Sequence, residues 1–171
     1  MINIRRLTAD EARAVQPQLV TLLQDAVQDG ASVGFVQPLP VDVADRYWQD
    51  VIRDLEQASR ILLVVLDAGE VVGSVQLGLC TKPNGLHRAE MQKLLVHTQK
   101  RRQGIGRAMI KAIETEARNA GRSLLYLDTE PDRPAAEMYA RMGWTLAGEV
   151  PDYALTPDGQ LHGTLIFYRK I

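Results

Sequence analysis

The sequence predicts one α/β domain of the α+β kind, a mixed, mostly antiparallel central sheet flanked by about four helices. Three observations carry that prediction. The 171 residues suit a single compact domain spanning 1–171. Apolar residues make up 46% and charged residues 24%, enough for an ordinary packed core. The apolar spacing switches repeatedly between strand and helix periods, in the order β-α-α-β-β-β-α-β-α-β-β. Tight turns join several strand pairs and one β-α-β crossover joins another, which makes the sheet mixed. No repeat, low-complexity tract or linker interrupts the chain.

Residues 2–7 read as a short first strand. Thr8 and Glu11 have capping-box spacing and open a helix. Pro17 breaks that pattern and restarts the helix. Leu19, Leu22, Leu23, Ala26 and Val27 continue it to Gly30. Residues 30–41 have no period but hold Val33, Phe35, Val36 and Leu39, an apolar loop of the length expected for a lid. Asp42 is placed to cap the next helix, with Val43, Tyr47, Val51 and Leu55 on one face. Ile61–Leu66 and Val71–Cys80 read as a hairpin around Asp67-Ala68-Gly69-Glu70. After the Asn84-Gly85 turn, residues 88–97 form a strand. Ile105 through Ala120 follow as a helix that stops at Gly121. Leu124–Asp128 is an apolar strand, and Pro134–Met142 a short helix ended by Gly143. Trp144–Glu149 and Leu161–Arg169 close the chain as a hairpin around Pro157-Asp158-Gly159.

Bulk properties exclude several function classes. The formal net charge is −1, which gives no sequence-wide reason to expect nucleic acid or an anionic membrane as partner. No apolar run approaches the roughly 18–20 residues that cross a bilayer. Met1–Asp10 lacks the apolar stretch of a signal peptide, so a cytoplasmic location is expected. The single cysteine, Cys80, allows neither an internal disulfide nor a cysteine-based zinc cluster. His87, His97 and His162 are scattered, and no metal is expected.

The most informative stretch is Leu94-Leu95-Val96-His97-Thr98-Gln99-Lys100-Arg101-Arg102-Gln103-Gly104-Ile105-Gly106-Arg107. A strand runs through a basic, glycine-containing turn straight into a helix. The first N–H groups of a helix lack internal acceptors and sit at the positive end of its dipole. Gly104 and Gly106 let a ligand reach them, and a pyrophosphate would accept several at once. Lys100, Arg101, Arg102 and Arg107 add positive charge. The Rossmann fingerprint fails for want of its third glycine, and the P-loop for want of Gly-Lys-Ser/Thr.

Arg101-x-x-Gly104-x-Gly106 resembles the coenzyme A signature of the GCN5-related N-acetyltransferase (GNAT) superfamily, and Tyr139-Ala-Arg-Met-Gly143-Trp144 resembles its second hallmark. The element order matches that family along nearly the whole chain. Gly30–Phe35, Lys82–Leu86, Arg88–Leu94, Leu127–Glu130 and Thr156–His162 are further similar to a member that acetylates a toxic amino acid. The resemblance implies a GNAT-like sheet with a splayed central strand pair and acetyl-CoA as cosubstrate. It implies a small-molecule amine as acceptor, with Ser32 and Phe35 among the substrate-binding residues. It places Leu94, Leu95, Val96 and the segment Arg101, Arg102, Gln103, Gly104, Ile105, Gly106 and Arg107 against the coenzyme. Dimers are frequent among relatives, which suggests a homodimer.

An amine with a pKa near 10 is mostly ammonium at neutral pH and must lose a proton before it attacks a carbonyl. The resemblance points to Glu90 and Asp128 as base and substrate-binding carboxylates. Both lie on strands that are otherwise largely apolar, where desolvation would raise a carboxylate pKa. A salt bridge with Arg88, Lys93 or Arg133 is the competing role, and Glu130 is a weaker candidate. In period-2 spacing Glu90, Gln92 and Leu94 share one face. Backbone N–H groups around Leu94–Val96 are the family's oxyanion donors, often at a bulge. Tyr139 corresponds to the family tyrosine that protonates or hydrogen-bonds the coenzyme sulfur. Cys80 has no evident activating partner, which disfavours covalent catalysis. Trp48 reads as core or lid, and Trp144 as a packing aromatic. A peptide N-terminus or lysine is the rival acceptor, and a non-catalytic acetyl-CoA sensor is the rival class.

Overall fold

The structure is a computed structural model that describes residues 3–171. Ile2, expected to begin the first strand, lies outside the described residues. The elements run β1 (Asn3–Arg6), α1 (Ala9–Ala14), α2 (Gln16–Gln28), α3 (Val41–Glu56), β2 (Arg60–Asp67), β3 (Glu70–Leu79), β4 (Arg88–Val96), α4 (Ile105–Asn119), β5 (Leu124–Thr129), α5 (Pro134–Arg141), β6 (Thr145–Leu155) and β7 (Leu161–Lys170). Five α-helices are therefore present among the described residues, against the four expected. The extra one comes from the break at Pro17: α1 carries the full Thr8–Glu11 capping box, and α2 restarts with the proline in its first turn.

The seven strands form one sheet in the order β1-β2-β3-β4-β5-β7-β6. Every pair is antiparallel except β4–β5, whose crossover is α4. A seven-stranded sheet buries both faces, and two apolar clusters do so here. Met109, Ile110 and Ile113 of α4 pack with Tyr139 and Trp144 on one face. Leu19, Leu22 and Leu23 of α2 pack with Trp48 and Val51 of α3 on the other. Trp48 is fully buried and belongs to this core. Burial of each such large side chain contributes about 1.5–3 kcal/mol.

Two local readings are corrected. The cap of α3 is Pro40, which makes no side-chain hydrogen bond, and Asp42 sits inside the first turn. The buried stripe is Ala44, Trp48, Val51 and Ile52, so the helix is rotated from the predicted face, with Val43, Tyr47 and Leu55 at its margin. That rotation directs Tyr47 toward the central strands.

Candidate active site at the strand splay

β4 and β5 pair only through Arg88–Leu124, Ala89–Leu125 and Glu90–Tyr126. β4 continues to Val96 and β5 to Thr129, so the two strands part beyond Glu90. On its other side β4 carries a bulge: Ser74 faces Leu95 and Gln76 faces Gln92, which sets an extra residue into β4 at Lys93–Leu94. Lys93 takes a φ of 50°, a left-handed conformation that costs a non-glycine residue about 1–2 kcal/mol. The bulge reverses the alternation. Ala89 and Met91 belong to the core on the α4 side, and Leu94 packs there too, while Leu95 faces α2 and α3. Glu90, Gln92 and Leu94 therefore do not share a face, contrary to the simple period. Beyond the splay, the β5-facing backbone of β4 has no strand partner, which leaves donors and acceptors free for a ligand.

The turn after β4 is pinned to α2, because Asp25 accepts from the Thr98 N–H at 2.9 Å and from its hydroxyl at 2.8 Å. Gly104 caps α4 with a φ of 79°, the left-handed region where glycine is favoured. The helix then opens with no capping side chain and no acid in its first turn. Its first N–H groups are left for an outside acceptor. Ile105 is buried and anchors this end. Lys100 pairs with Asp67 at 2.7 Å, and Arg101 with Asp29, so those two charges are partly spoken for. Arg102, Gln103, Gly104 and Arg107 are exposed. A Cβ at Gly106 would lie 3.8 Å from the Met138 sulfur and 4.0 Å from Val96. Gly106 thus sits close to both β4 and α5. An uncapped basic helix start beside a strand splay fits a coenzyme with a pyrophosphate and a hydrogen-bonding tail.

On the opposite side, Glu90 is half-buried beside its register partner Tyr126, whose hydroxyl is pushed up by burial and by the Glu90 charge. Asp128 is exposed and accepts from the Thr164 hydroxyl at 3.0 Å. This corrects the expectation that both carboxylates are desolvated. β5 runs past the end of its pairing with β4, so its last residues stand open. Among the described residues neither acid forms a salt bridge with Arg88, Lys93 or Arg133; Arg133 pairs with Glu130 at 2.9 Å.

Tyr139 is 5% exposed, with its ring 5.8 Å from Trp144 and 6.1 Å from Phe167. Burial, then the nearby Asp128 charge, push its hydroxyl well above the usual phenol range. Trp144 packs as expected and donates to buried Glu114 at 3.2 Å, which also pairs with Arg169. Cys80 sits by Gly85 and Arg88 at the far end of β4.

The loop from Gly30 to Pro40 spans this region. Ser32 Oγ lies 2.8 Å from His162 Nε2 on β7, the Gln37 N–H donates to Pro157 at 2.8 Å, and Arg133 donates to the Gly30 carbonyl. Phe35 sets its ring edgewise on Tyr47 at 5.4 Å. Sequence reasoning assigned no site role to Lys93, Tyr47, Thr164 or His162, although Lys93 and His162 lie in segments that carry the family resemblance. Two open clefts, of about 710 and 470 Å³, flank the site by α2 and by His162 and include neither Glu90 nor Tyr139. No group of three or more potential ligating side chains gathers for a metal ion among the described residues. No described helix is long and apolar enough to cross a membrane.

Comparison with known proteins agrees with this geometry. Residues 17–144 match the model of the acetyltransferase (GNAT) family. The chain is 35% identical over 106 residues to an uncharacterised N-acetyltransferase of Azospirillum brasilense, a match that spans 61% of each chain. It is 26% identical over 144 residues to an L-methionine sulfoximine/L-methionine sulfone acetyltransferase of Pseudomonas paraeruginosa, covering 83% of this chain and 81% of that one. An acetyltransferase structure from Salmonella typhimurium, solved with its cofactor acetyl-CoA, superposes with a TM-score of 0.78 at 17% identity, covering 99% and 94% of the two chains. The chain belongs to the acetyltransferase (GNAT) family and is an acetyl-CoA-dependent N-acetyltransferase.

Proposed function

We propose that the chain acetylates the primary amine of a small, amino-acid-like molecule, by direct attack within a ternary complex. The observation that carries this reading is the Gly30–Pro40 loop, tied across the site at Ser32–His162, Gln37–Pro157 and Arg133–Gly30. Such a strap encloses a compact acceptor, whereas a peptide needs an open groove. The methionine sulfoximine acetyltransferase relative supports the same class. So does the resemblance of several segments to the tabtoxin resistance protein, which acetylates a toxic amino acid.

Acetyl-CoA would lie along the splay, with its pyrophosphate at Gly104–Arg107 and its tail against Leu94–Val96; when bound it supplies an activated acetyl thioester. N–H groups of β4 beyond its pairing with β5 would donate to the acetyl carbonyl. Glu90 and Asp128 face the acceptor side, where they hold the ammonium and take its proton directly or through water. The Tyr139 hydroxyl stays neutral in its apolar surroundings, which favours donating a hydrogen bond to the departing sulfur over full proton transfer. Ser32 and Phe35 line the loop side. For quaternary structure and location the reading remains a cytoplasmic homodimer, with no nucleic-acid or membrane partner.

Thiol release measured with L-methionine sulfoximine and with an alanine-initiated peptide tests the acceptor class. The small amine should give the higher kcat/KM. A peptide preferred over every small amine would overturn the reading.

A further inference from the structure

Lys93 has no role in the chemistry above, yet its placement is unusual. It occupies the extra position of the β4 bulge with a φ of 50°, a conformation that long side chains rarely adopt. Its ammonium lies 5.7 Å over the Tyr47 ring, and a Cβ on Gly34 of the loop would stand 3.8 Å from it. The side chain is thus held at the meeting point of bulge, α3 and loop, on the acceptor side of the splay. Among the described residues it forms no salt bridge. Burial lowers its pKa, and the charges of Asp128 and Glu90 only partly offset that effect. The neighbouring cation, Arg60, is already engaged by Asp54 at 2.8 Å and by Gln76 and Gln92 at 2.7 and 2.8 Å. Lys93, set over the Tyr47 ring, is therefore a positive charge without a salt-bridge partner among the described residues, near the charges of Asp128 and Glu90. On the same sheet face, next to the bulge, Ser74 Oγ and Gln76 Nε2 are sealed without partners.

A strained, desolvated, unpaired ammonium is costly unless a ligand completes it. Two acids and one cation that lacks an anionic partner, all on the α3 side of the splay, complement a zwitterion. A polyamine or aminoglycoside, cationic throughout, would be repelled by Lys93. We propose that Lys93 is a specificity-determining residue that binds a carboxylate carried by the acceptor, so that the substrate class is an α-amino acid and not a polycationic amine. This rests on the proposed acceptor class, with Glu90 and Asp128 receiving the ammonium end.

The test compares wild type, Lys93→Met and Lys93→Arg on L-methionine sulfoximine and on its carboxamide, in which the carboxylate is neutralised. Lys93→Met should raise KM for the acid about 10- to 100-fold while kcat holds, and should leave the carboxamide unaffected. Lys93→Arg should recover part of the loss. An equal fall in kcat on both acceptors would overturn the proposal, because Lys93 would then serve chemistry or folding. Calorimetry with coenzyme A-saturated protein reads the same preference without turnover. Acid bound more tightly than carboxamide by wild type but not by Lys93→Met supports the proposal. Equal affinity for the two, or no binding of the acid, overturns it. Binding without turnover would sink the acceptor-class reading alone.

Discussion

Tyr139 and Asp128 show how surroundings divide the work among ionisable groups. The phenol is packed between Trp144 and Phe167 with a carboxylate nearby, and both influences hold its proton in place. Asp128 lies open and is steadied by Thr164. Replacing Tyr139 with Phe removes one hydrogen-bond donor and little volume. Steady-state kinetics should show kcat lower by about 10²-fold, the low end for loss of a positioned proton donor. KM for acetyl-CoA should change little, because the proposed phosphate contacts lie elsewhere, at Gly104–Arg107. Unchanged kcat would remove Tyr139 from the mechanism. Glu90, Asp128 and Tyr139 were nominated from the sequence because the family resemblance assigns roles to those positions. Lys93 was not, since nothing in Gln92-Lys93-Leu94 marks a left-handed residue; neighbouring strands impose that backbone.

At the scale of elements, the turn from β4 into α4 is the most exacting piece. Gly104 has open space around a built Cβ, so its constraint is conformational rather than steric. Gly104→Ala should cost about 1–2 kcal/mol through its positive φ, and melting should register a drop of about 2–4 °C per kcal/mol. The same change should raise KM for acetyl-CoA while sparing that of the amine, because it tilts the first N–H groups of α4. A variant with unaltered acetyl-CoA kinetics would argue against pyrophosphate binding at this helix start. The glycine turn was readable from residue types. The α3 cap and the buried face of α3 were not, because tertiary packing of Trp48 against the sheet outweighed the local pattern of Val43, Tyr47 and Leu55. The exposure of Asp128 was hidden for a similar reason: an apolar strand sequence does not reveal where its neighbour diverges.

For the whole molecule, the order of elements and the mixed sheet could be read from periodicity and turns, and the single parallel pair from its crossover. The separation of β4 from β5 was expected only through the family resemblance, because periodicity cannot show it: it is a three-dimensional consequence of one short register and one bulge. In the proposed reading, that opening is where a coenzyme on the α4 side would meet an acceptor on the α3 side for direct transfer. The most direct test is an initial-velocity study that varies acetyl-CoA at several fixed concentrations of L-methionine sulfoximine. Direct transfer in a ternary complex predicts double-reciprocal lines that intersect. Parallel lines would mean that the acetyl group is first passed to the protein, and would contradict the account.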